Sequence, residues 1–462
     1  MIDMEEEKIA QMQQNIDYLC QNIEHINNEW SIEEVQVKPV SVFKRLMRKL
    51  TYWLYRPMWD QQREFNKYIA AAMGDMFRNQ SIIVDELSEG GSFASAPYTL
   101  ESNGKPRVIQ LVSSLNFGDA VGNEVIAFKK ALQENGFVTE IFAETIHKKI
   151  APNTAMNFKK LPELNENDIV IYHFSSQCGM FETVKKLKCK VILRYHNITP
   201  PAFFHGYDAN AEKATATGLK QVRELKDYVD YCLPVSEFNK HDLIEMGYAC
   251  PMTVIPILIQ FSDYELAPSQ AVIDKYTDGR TNCLFVGRMA PNKKVEDVIS
   301  CFAEYKKNYD KTARLFLVGS FNENDKYYQM LCKHIKKLGV EDVIFPGHIP
   351  FNEILAYYSI ADVFICMSEH EGFCVPLVEA MYFHAPIVAF SSSAIPSTLN
   401  GSGVLLESKN DMKTCAEAVY KVTSDKEYAA RIVDGQNKRL LDFDREKILS
   451  MIIREIKKFV EE

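Results

Sequence analysis

Short apolar runs alternate with longer stretches of helical spacing from about residue 106 onward. The runs are rich in β-branched residues, and this alternation is typical of βαβ units that build a parallel sheet. Because the runs are almost continuously apolar, we expect strands that helices cover on both faces. The pattern predicts two series of strands, at 108–112, 138–143, 169–174, 191–195, 231–235 and 253–257, and then at 283–286, 315–318, 343–345, 363–367, 387–390 and 404–406.

The two series predict an α/β protein with two Rossmann-like, doubly wound domains that face a cleft. Ligands of such sheets bind at the carboxyl ends of the strands, so the cleft is the expected site. A stretch without strands, from about 260 to 281, separates the two series. We therefore expect a helical amino-terminal extension at 1–100, a first domain at 106–262, a second domain at 263–442 and a terminal helix at 443–462.

Composition narrows the class of protein. The chain has 462 residues, 47% of them hydrophobic, and a net charge of -9, which argues against nucleic acid as a partner. The eleven cysteines form no C-x-x-C pair, and the start resembles no export signal, so we expect reduced thiols, no disulfide, no structural zinc and a cytoplasmic protein. No apolar stretch reaches the ~18 residues of a membrane span.

The strongest candidate chemistry follows the predicted strand that ends at Met367. Glu371 and Gly372 are expected in a turn, and Pro376 suits the first position of a new helix, which places Glu379 in or near its first turn. Backbone N–H groups at that helix start would face an anion, while Glu371 and Glu379 can accept hydrogen bonds from sugar hydroxyls. The combination suits a sugar diphosphate. The alternative is that both are acids favoured by the helix macrodipole.

A second candidate follows the first strand of the second series. Gly287 ends the strand, and Arg288 and Lys293 stand five residues apart on the loop after it. Two cations so placed can surround a pyrophosphate, and arginine can bind it bidentately. The alternative is a solvated basic loop.

Two further candidates lie in the first domain. His196 ends an apolar strand, where it is expected to face the cleft and to bind a sugar hydroxyl or carry a proton, unless it is a buried core histidine. Gly118, Gly122 and Asn123 follow the first strand and open a helix, so this loop is predicted to hold a phosphate or an acceptor, with a simple tight turn as the alternative.

The sequence also holds one motif that imitates a metal site. Asp442 and Asp444 have the spacing of a metal-binding D-x-D motif. They precede, however, a predicted helix with apolar residues at 448, 451, 452, 456 and 459. We therefore interpret one of them as a helix N-cap and expect no metal.

The amino-terminal extension carries two patterns of its own. Residues 41–57 carry basic residues and no acid, and their apolar residues, several of them aromatic, recur at helical spacing. This favours either a helix on an anionic membrane surface or a helix docked on protein. Residues 5–36 have apolar residues near heptad spacing and suit a short coiled coil. Either pattern would place an oligomer or another partner at this end.

The motifs of the second domain resemble those of glycosyltransferase family 4, the glycosyl transferases group 1, which are retaining GT-B enzymes. Residues 371–380 are similar to the E-G-F-G-x-P-x-x-E-A pattern of the E-x7-E motif, with Cys374 where the family most often has glycine. Residues 287–293 are similar to the G-R-x-x-x-x-K clamp. His196 and Asn197 resemble the H-D or H-N element of the first domain.

The resemblance implies roles for these residues. Arg288 and Lys293 would neutralise the diphosphate, Glu379 would hold the ribose, and Glu371 and His196 would contact the sugar. The first domain would be the acceptor side and the second the nucleotide-sugar side. The expected catalytic residues are His196, Arg288, Lys293 and Glu371, and the expected donor-binding residues are Gly118, Gly122, Asn123, Gly287, Arg288, Lys293, Glu371, Gly372, Phe373, Cys374, Val375 and Glu379.

The implied activity is metal-independent and needs no cofactor. A hexose, mannose-like or other, would pass with retention from a GDP- or UDP-linked donor to a glycan or lipid-linked acceptor, in bacterial surface polysaccharide synthesis. Such a protein would be cytoplasmic, with a peripheral position on the inner face of the plasma membrane if residues 41–57 bind lipid. The alternatives are a nucleotide-sugar epimerase of the same fold and a GT-B scaffold without activity.

Overall fold

Two parallel sheets organise the part of the chain that the structure, a computed structural model, describes, namely residues 100, 106–116, 118–347 and 349–460. The predicted coiled coil of residues 5–36 and the predicted basic helix of 41–57 lie outside these residues. The strands of the first sheet are β1 (Arg107–Leu115), β2 (Val138–Ile146), β3 (Met156–Asn157), β4 (Ile169–Phe174), β5 (Lys190–Tyr195) and β6 (Tyr231–Pro234), in the order β3-β2-β1-β4-β5-β6.

The second sheet repeats this arrangement. Its strands are β7 (Asn282–Val286), β8 (Arg314–Val318), β9 (Val343–Gly347), β10 (Val363–Cys366), β11 (Ile387–Phe390) and β12 (Val404–Leu406), in the order β12-β11-β10-β7-β8-β9. All strand pairs that build the two sheets are parallel. This is the doubly wound order, with a switch point beside the first strand of each sheet. The predicted fold class is confirmed.

Helices connect the strands and cover both faces of each sheet. They are α1 (Ala120–Glu134), α2 (Phe181–Val184), α3 (Ala209–Leu225), α4 (Glu237–Glu245), α5 (Gln270–Tyr276), α6 (Val295–Asn308), α7 (Lys326–Leu338), α8 (Phe351–Ser359), α9 (Val375–Tyr382), α10 (Ile395–Leu399), α11 (Met412–Ser424), α12 (Lys426–Leu440) and α13 (Arg445–Lys457). We call β1–β6 with α1–α4 and α13 the first lobe, and β7–β12 with α5–α12 the second lobe. In the described part of the chain, no helix combines the length and the apolarity that crossing a membrane requires.

The last helix, α13, returns to the first lobe. Its apolar side packs on the first sheet, where Ile448 and Ile452 join a buried cluster with Val108, Ile169 and Ile192. Asp444 is its N-cap, since its carboxylate accepts a hydrogen bond from the backbone N–H of Lys447 at 3.0 Å. The interpretation of the D-x-D as a cap is therefore confirmed.

One predicted strand, at 253–257, is wrong, and one short strand, β3, was not predicted. Residues after Pro251 run beside β6, where the N–H groups of Thr253 and Ile255 donate to β6 carbonyls. Only an isolated bridge at Met252 results. Pro251 and Pro256 have no N–H to donate, so the ladder cannot continue. β3 pairs with β2 through two residues only, which is too short for a hydrophobic pattern.

Candidate active site between the two lobes

The loop between β10 and α9 forms one wall of the cleft. It ends at Cys374, the N-cap residue of α9, whose φ of 72° lies in the left-handed region. A glycine adopts this conformation without strain, whereas a side chain costs energy there. The need for a glycine-like backbone explains why the resembling family most often has glycine at this position. The Cys374 side chain is buried and packs against the second-lobe core.

Glu371 lies on this loop and forms a buried ion pair with Lys293. The Lys293 ammonium lies 2.6 Å and 2.7 Å from the two carboxylate oxygens of Glu371. Burial is the largest single influence and would lower the pKa of Lys293, but the charge and hydrogen bonds of Glu371, together with the nearby thiols of Cys374 and Cys366, raise the pKa on balance. The two predicted residues are thus brought together, and each neutralises the other in this structure.

Local contacts hold the loops of Glu371 and Lys293 side by side. Lys293 ends a 3-10 turn after β7, and the side chain of Asn292 in that turn donates to the backbone carbonyl of His370 at 3.0 Å. The backbone N–H of Glu369 donates to the carbonyl of Asn292 at 2.9 Å. The N–H of Glu371 itself donates to the Ser393 hydroxyl at 2.8 Å. These bonds fix the carboxylate and the ammonium relative to each other.

Arg288 is exposed at the rim, directly after Gly287. It forms no ion pair with any residue in the described part of the chain, so its charge is available to a ligand. The backbone at Gly287 is closely packed, because a Cβ built on Gly319 would lie 1.9 Å from the Gly287 carbonyl oxygen. The end of β7 is therefore held against the end of β8 while the Arg288 side chain stays free.

Glu379 is the fifth residue of α9, close to the first turn, where the sequence predicted it. Its two carboxylate oxygens accept hydrogen bonds from the hydroxyls of Tyr358 at 2.6 Å and Tyr264 at 3.1 Å. Burial raises the pKa of Glu379, and the two tyrosine hydroxyls oppose that rise. Each carboxylate oxygen keeps a second lone pair, so the group can accept further hydrogen bonds. No sequence motif pointed to either tyrosine.

His196 lies at the end of β5, and its ring is buried in the first lobe. Its Nε2 atom lies 3.2 Å from Nδ1 of His173 and 3.6 Å from a carboxylate oxygen of Glu124. Glu124 is paired with Arg194, and both side chains are fully buried. Burial, together with the charge of Arg194, holds the pKa of His196 well below its usual range. The expectation of a histidine facing an open cleft is therefore corrected to a buried histidine inside a polar network.

The two lobes meet at His370 and Gly372. The His370 Nε2 atom lies 2.6 Å from the side-chain oxygen of Asn197, and its ring packs against Phe203 and Phe238 of the first lobe. A Cβ built on Gly372 would lie 2.4 Å from the backbone oxygen of His196. Glycine is therefore required at position 372 for this approach of the lobes. His370 stood inside the predicted motif but had no predicted role.

The loop after β1 is shaped by a helix cap. The Asp119 carboxylate accepts a hydrogen bond from the Gly122 N–H at 2.6 Å and caps α1. A Cβ on Gly122 would lie 2.3 Å from the Asn116 carbonyl oxygen, so the turn itself requires glycine there. Gly118 has a φ of 77°, and Asn123 is exposed. These residues lie at the carboxyl end of β1, and their predicted contact with donor or acceptor stays a prediction.

Two buried groups in the described residues have side chains of the kind that bind metals. One contains Glu124, His173 and His196, and the other contains Cys366, Glu371 and Cys374. In each group a cation of the protein, Arg194 or Lys293, already sits on the carboxylate. The close approach of these side chains therefore needs no metal ion to explain it.

Known glycosyltransferases are similar to this chain in sequence. Residues 274–439 match the family of glycosyl transferases group 1. A curated relative, the O-antigen chain mannosyltransferase B of Escherichia coli, is 23% identical over 212 residues, which are 45% of this chain and 55% of the relative. The chain spans 55% and 60% of the length of the first two curated relatives that it matches.

Two solved structures share the architecture. Sucrose-phosphate synthase of Thermosynechococcus elongatus superposes with a TM-score of 0.60 at 15% identity, over 77% of this chain and 99% of that one. HepE of Anabaena, solved in complex with UDP and glucose, gives 0.56 at 18% identity, over 76% and 100%. At such identities the solved structures show the fold, which is GT-B, and residues 274–439 of the second lobe are similar to the glycosyl transferases group 1 family.

Proposed function

We propose that this protein transfers a hexose from a nucleotide diphosphate sugar to a glycan or lipid-linked acceptor. The observation that carries the proposal is the set of charges at one edge of the second sheet, where Arg288, Lys293 and Glu371 follow β7 and β10. β7 and β10 are neighbours in the sheet, so their carboxyl ends open at the same place. The similarity of the second lobe to the glycosyl transferases group 1 family and the UDP and glucose in the HepE structure support a nucleotide-sugar donor.

The proposed roles of these residues follow from the charges that develop on the diphosphate and on the sugar during transfer. As the bond between the anomeric carbon and the phosphate oxygen breaks, negative charge grows on the diphosphate and positive charge on the sugar ring. Fixed cations beside the diphosphate stabilise the departing group, and they do so strongly in a site that excludes water. Arg288 is free to bind the diphosphate, while Lys293 would share its ammonium between the diphosphate and Glu371.

This sharing gives Glu371 a second role. When part of the Lys293 charge turns toward a phosphate, the Glu371 carboxylate regains lone pairs that can accept bonds from sugar hydroxyls. We propose retention of the anomeric configuration, by attack on the face from which the diphosphate leaves, with a diphosphate oxygen taking the proton of the acceptor hydroxyl.

The first experiment identifies the donor. Thermal stabilisation is measured with GDP-mannose, UDP-glucose and other nucleotide sugars, because a ligand that binds the native state raises its melting temperature. The best ligand is then supplied in radiolabelled form with membrane and glycan acceptors. Transfer of label to an acceptor supports the proposal. Consumption of the donor without any acceptor would indicate the epimerase instead, and absence of binding to every donor would indicate a scaffold.

The second experiment tests the cation at the rim. Arg288→Ala should lower kcat/KM by roughly 100-fold, the scale for loss of one group that stabilises developing charge. Its melting temperature should stay close to that of the wild type, because Arg288 is exposed and unpaired within the described residues. Arg431→Ala, which removes an exposed arginine from α12, is the matched control and should keep full activity.

The anomeric outcome has its own test. The coupling constant of the new anomeric proton, measured by NMR on the isolated product, gives its configuration. The same configuration as in the donor supports retention, and the opposite configuration would contradict it while leaving sugar transfer intact. We further propose bacterial surface polysaccharide as the context, which the O-antigen relative supports.

A further inference from the structure

The buried polar side chains around His196 form a hydrogen-bond chain that begins at the backbone of α1. Gln110 on β1 lies 3.0 Å from Nε2 of His173, and Nδ1 of His173 lies 3.2 Å from Nε2 of His196. All three side chains are at least nine-tenths buried. Neither histidine is charged at neutral pH, because burial holds the pKa of each well below its usual range. Each ring therefore carries one proton, on one of two nitrogens.

The orientation of the Gln110 amide decides which nitrogens carry the protons. With its nitrogen toward His173, the amide donates to the Val125 carbonyl at 3.2 Å and to His173 Nε2 at 3.0 Å, and its oxygen accepts from the Lys129 N–H at 3.1 Å. In the opposite orientation, the amide oxygen faces the Val125 carbonyl, and the amide nitrogen faces the Lys129 N–H. The backbone of α1 therefore selects the first orientation.

The remaining assignments follow in order. Because His173 Nε2 accepts a hydrogen bond, the proton of His173 is on Nδ1 and is donated to His196 Nε2. His196 Nε2 is then an acceptor, and the proton of His196 is on Nδ1. The Glu124 oxygen at 3.6 Å does not compete for a proton on Nε2, since this separation is longer than a hydrogen bond.

His196 Nδ1 is buried and has no hydrogen-bond partner in this structure. A buried N–H without an acceptor costs ~1–3 kcal/mol, so such a group calls for a partner. Nδ1 is the ring nitrogen closer to the His196 backbone, and that backbone touches Gly372 of the second lobe. A ligand held between the lobes is a natural source of the missing acceptor.

We propose that Gln110 and His173 are positioning residues that hold His196 as its Nδ1–H tautomer, so that His196 meets the substrate as a hydrogen-bond donor to an oxygen and not as a proton acceptor. The proposal rests on the proposed function, whose substrate offers such oxygens in its hydroxyls and phosphates. It excludes His196 as the base that takes the proton of the acceptor hydroxyl.

The direct test is nitrogen NMR of the full protein labelled at its histidine rings. Long-range couplings between ring protons and ring nitrogens distinguish the two tautomers, and the His196 signals are assigned by their loss in His196→Asn. We expect an Nδ1–H tautomer that does not change charge between about pH 6 and 8. An Nε2–H tautomer, or a charged ring at neutral pH, would overturn the proposal. This readout does not depend on turnover, so it stands apart from any failure to find a donor.

Variants of the chain separate positioning from mere packing. His173→Leu removes the donor to His196 Nε2 and should give a mixture of His196 tautomers, whereas His173→Asn keeps an N–H in the place of Nδ1–H and should restore the single tautomer. If His173→Leu fails to fold, the proposal is still tested by the wild-type spectrum and by that of His173→Asn, both of which should show the Nδ1–H tautomer of His196. Unchanged tautomers in a folded His173→Leu protein would count against the role of His173.

Activity gives a second readout once a donor is known. An asparagine at position 196 places its amide N–H near Nδ1, while a glutamine places it near Nε2. His196→Asn should therefore keep at least tenfold more kcat/KM than His196→Gln, the equivalent of one hydrogen bond of ~1.4 kcal/mol. The reverse order would contradict a donor at Nδ1.

Discussion

At the scale of single residues, the ion pair of Lys293 and Glu371 makes each member depend on the other. Lys293→Met leaves the Glu371 carboxylate buried without a countercharge and should lower the free energy of unfolding by ~2 kcal/mol, somewhat less than for a fully buried pair. Lys293→Met/Glu371→Gln should recover most of this loss, because no charge remains unpaired. A double-mutant cycle in urea measures the coupling. Strictly additive losses would mean that the pair contributes nothing.

Cys374, on the same loop as Glu371, has a left-handed backbone conformation that a glycine would adopt without strain. Cys374→Gly relieves the left-handed φ but loses a buried side chain, so the two effects of ~1–2 kcal/mol nearly cancel and the melting temperature should change little. Cys374→Val keeps an apolar side chain but is β-branched, and it should lower the melting temperature clearly. Thermal unfolding of both variants provides the check. A well-tolerated valine would show that the conformation at position 374 is not constrained.

His173 and His196 should make the protein sensitive to acid. Both rings stay neutral in the folded protein because burial lowers the pKa of each, whereas in the unfolded chain they take up protons below about pH 6.5. The unfolded state then binds more protons, so their contribution to stability is present above about pH 6.5 and is lost as the pH falls.

This loss can be assigned by comparing variants across the pH range. In urea unfolding between pH 7.5 and pH 5, His173→Asn should weaken the pH dependence, because one buried ring no longer titrates. His205→Asn removes a histidine whose side chain is 82% exposed, and it should leave the pH dependence unchanged. Equal curves for the wild type and His173→Asn would mean that other groups cause the acid loss.

At the scale of elements, the start of α1 depends on Gly122. An alanine there would place its Cβ 2.3 Å from the Asn116 carbonyl oxygen and disturb the Asp119 cap. We expect Gly122→Ala to cost ~2 kcal/mol or more, through strain and the lost cap. Gly435→Ala in α12 is the control, since its Cβ meets its neighbours at an ordinary 3.7 Å and alanine favours the helix. Thermal unfolding should separate the two by several degrees.

Elements were predictable where one periodic pattern sufficed. The buried strands β4 and β10 are apolar runs, and residues 169–174 match β4 in full. The stretch at 253–257 has a similar apolar pattern, but the prolines at 251 and 256 interrupt the hydrogen-bond ladder. The hydrophobic pattern takes no account of the N–H groups that proline lacks. Local capping was also readable, as Asp444 illustrates, because a cap depends on residues close in the sequence.

The site was predictable only in part. Glu371 and Lys293 were expected to contact a ligand, yet they contact each other, because the sequence does not give distances across the sheet edge. The network behind His196 was missed, although Gln110 and His173 are polar residues inside apolar runs and Glu124 directly precedes the apolar residues of a helix. A buried polar residue requires a partner, so their positions were a signal that could have been followed.

At the scale of the whole molecule, Gly372 sets how closely the lobes approach. An alanine would press on the His196 carbonyl and the Asn197 side chain, so Gly372→Ala should hold the lobes apart, raise the radius of gyration in small-angle scattering and reduce transfer. Gly403→Ala, whose Cβ meets mainly Leu399 side-chain atoms at 3.3 Å, is the control. An unchanged scattering curve and full activity in Gly372→Ala would show that the contact is not needed.

The return of α13 bears on how the chain matures during synthesis. The Tyr231 hydroxyl on β6 bonds to the Glu455 carboxylate of α13 across a separation of 224 residues. A nascent chain that has completed β6 must therefore wait for the entire second lobe to be translated before this face of its first sheet is covered. Since translation runs at ~5–20 residues per second, the face stays open for ~10 s or longer. During that interval the emerging polypeptide presents an apolar surface of the kind that chaperones bind.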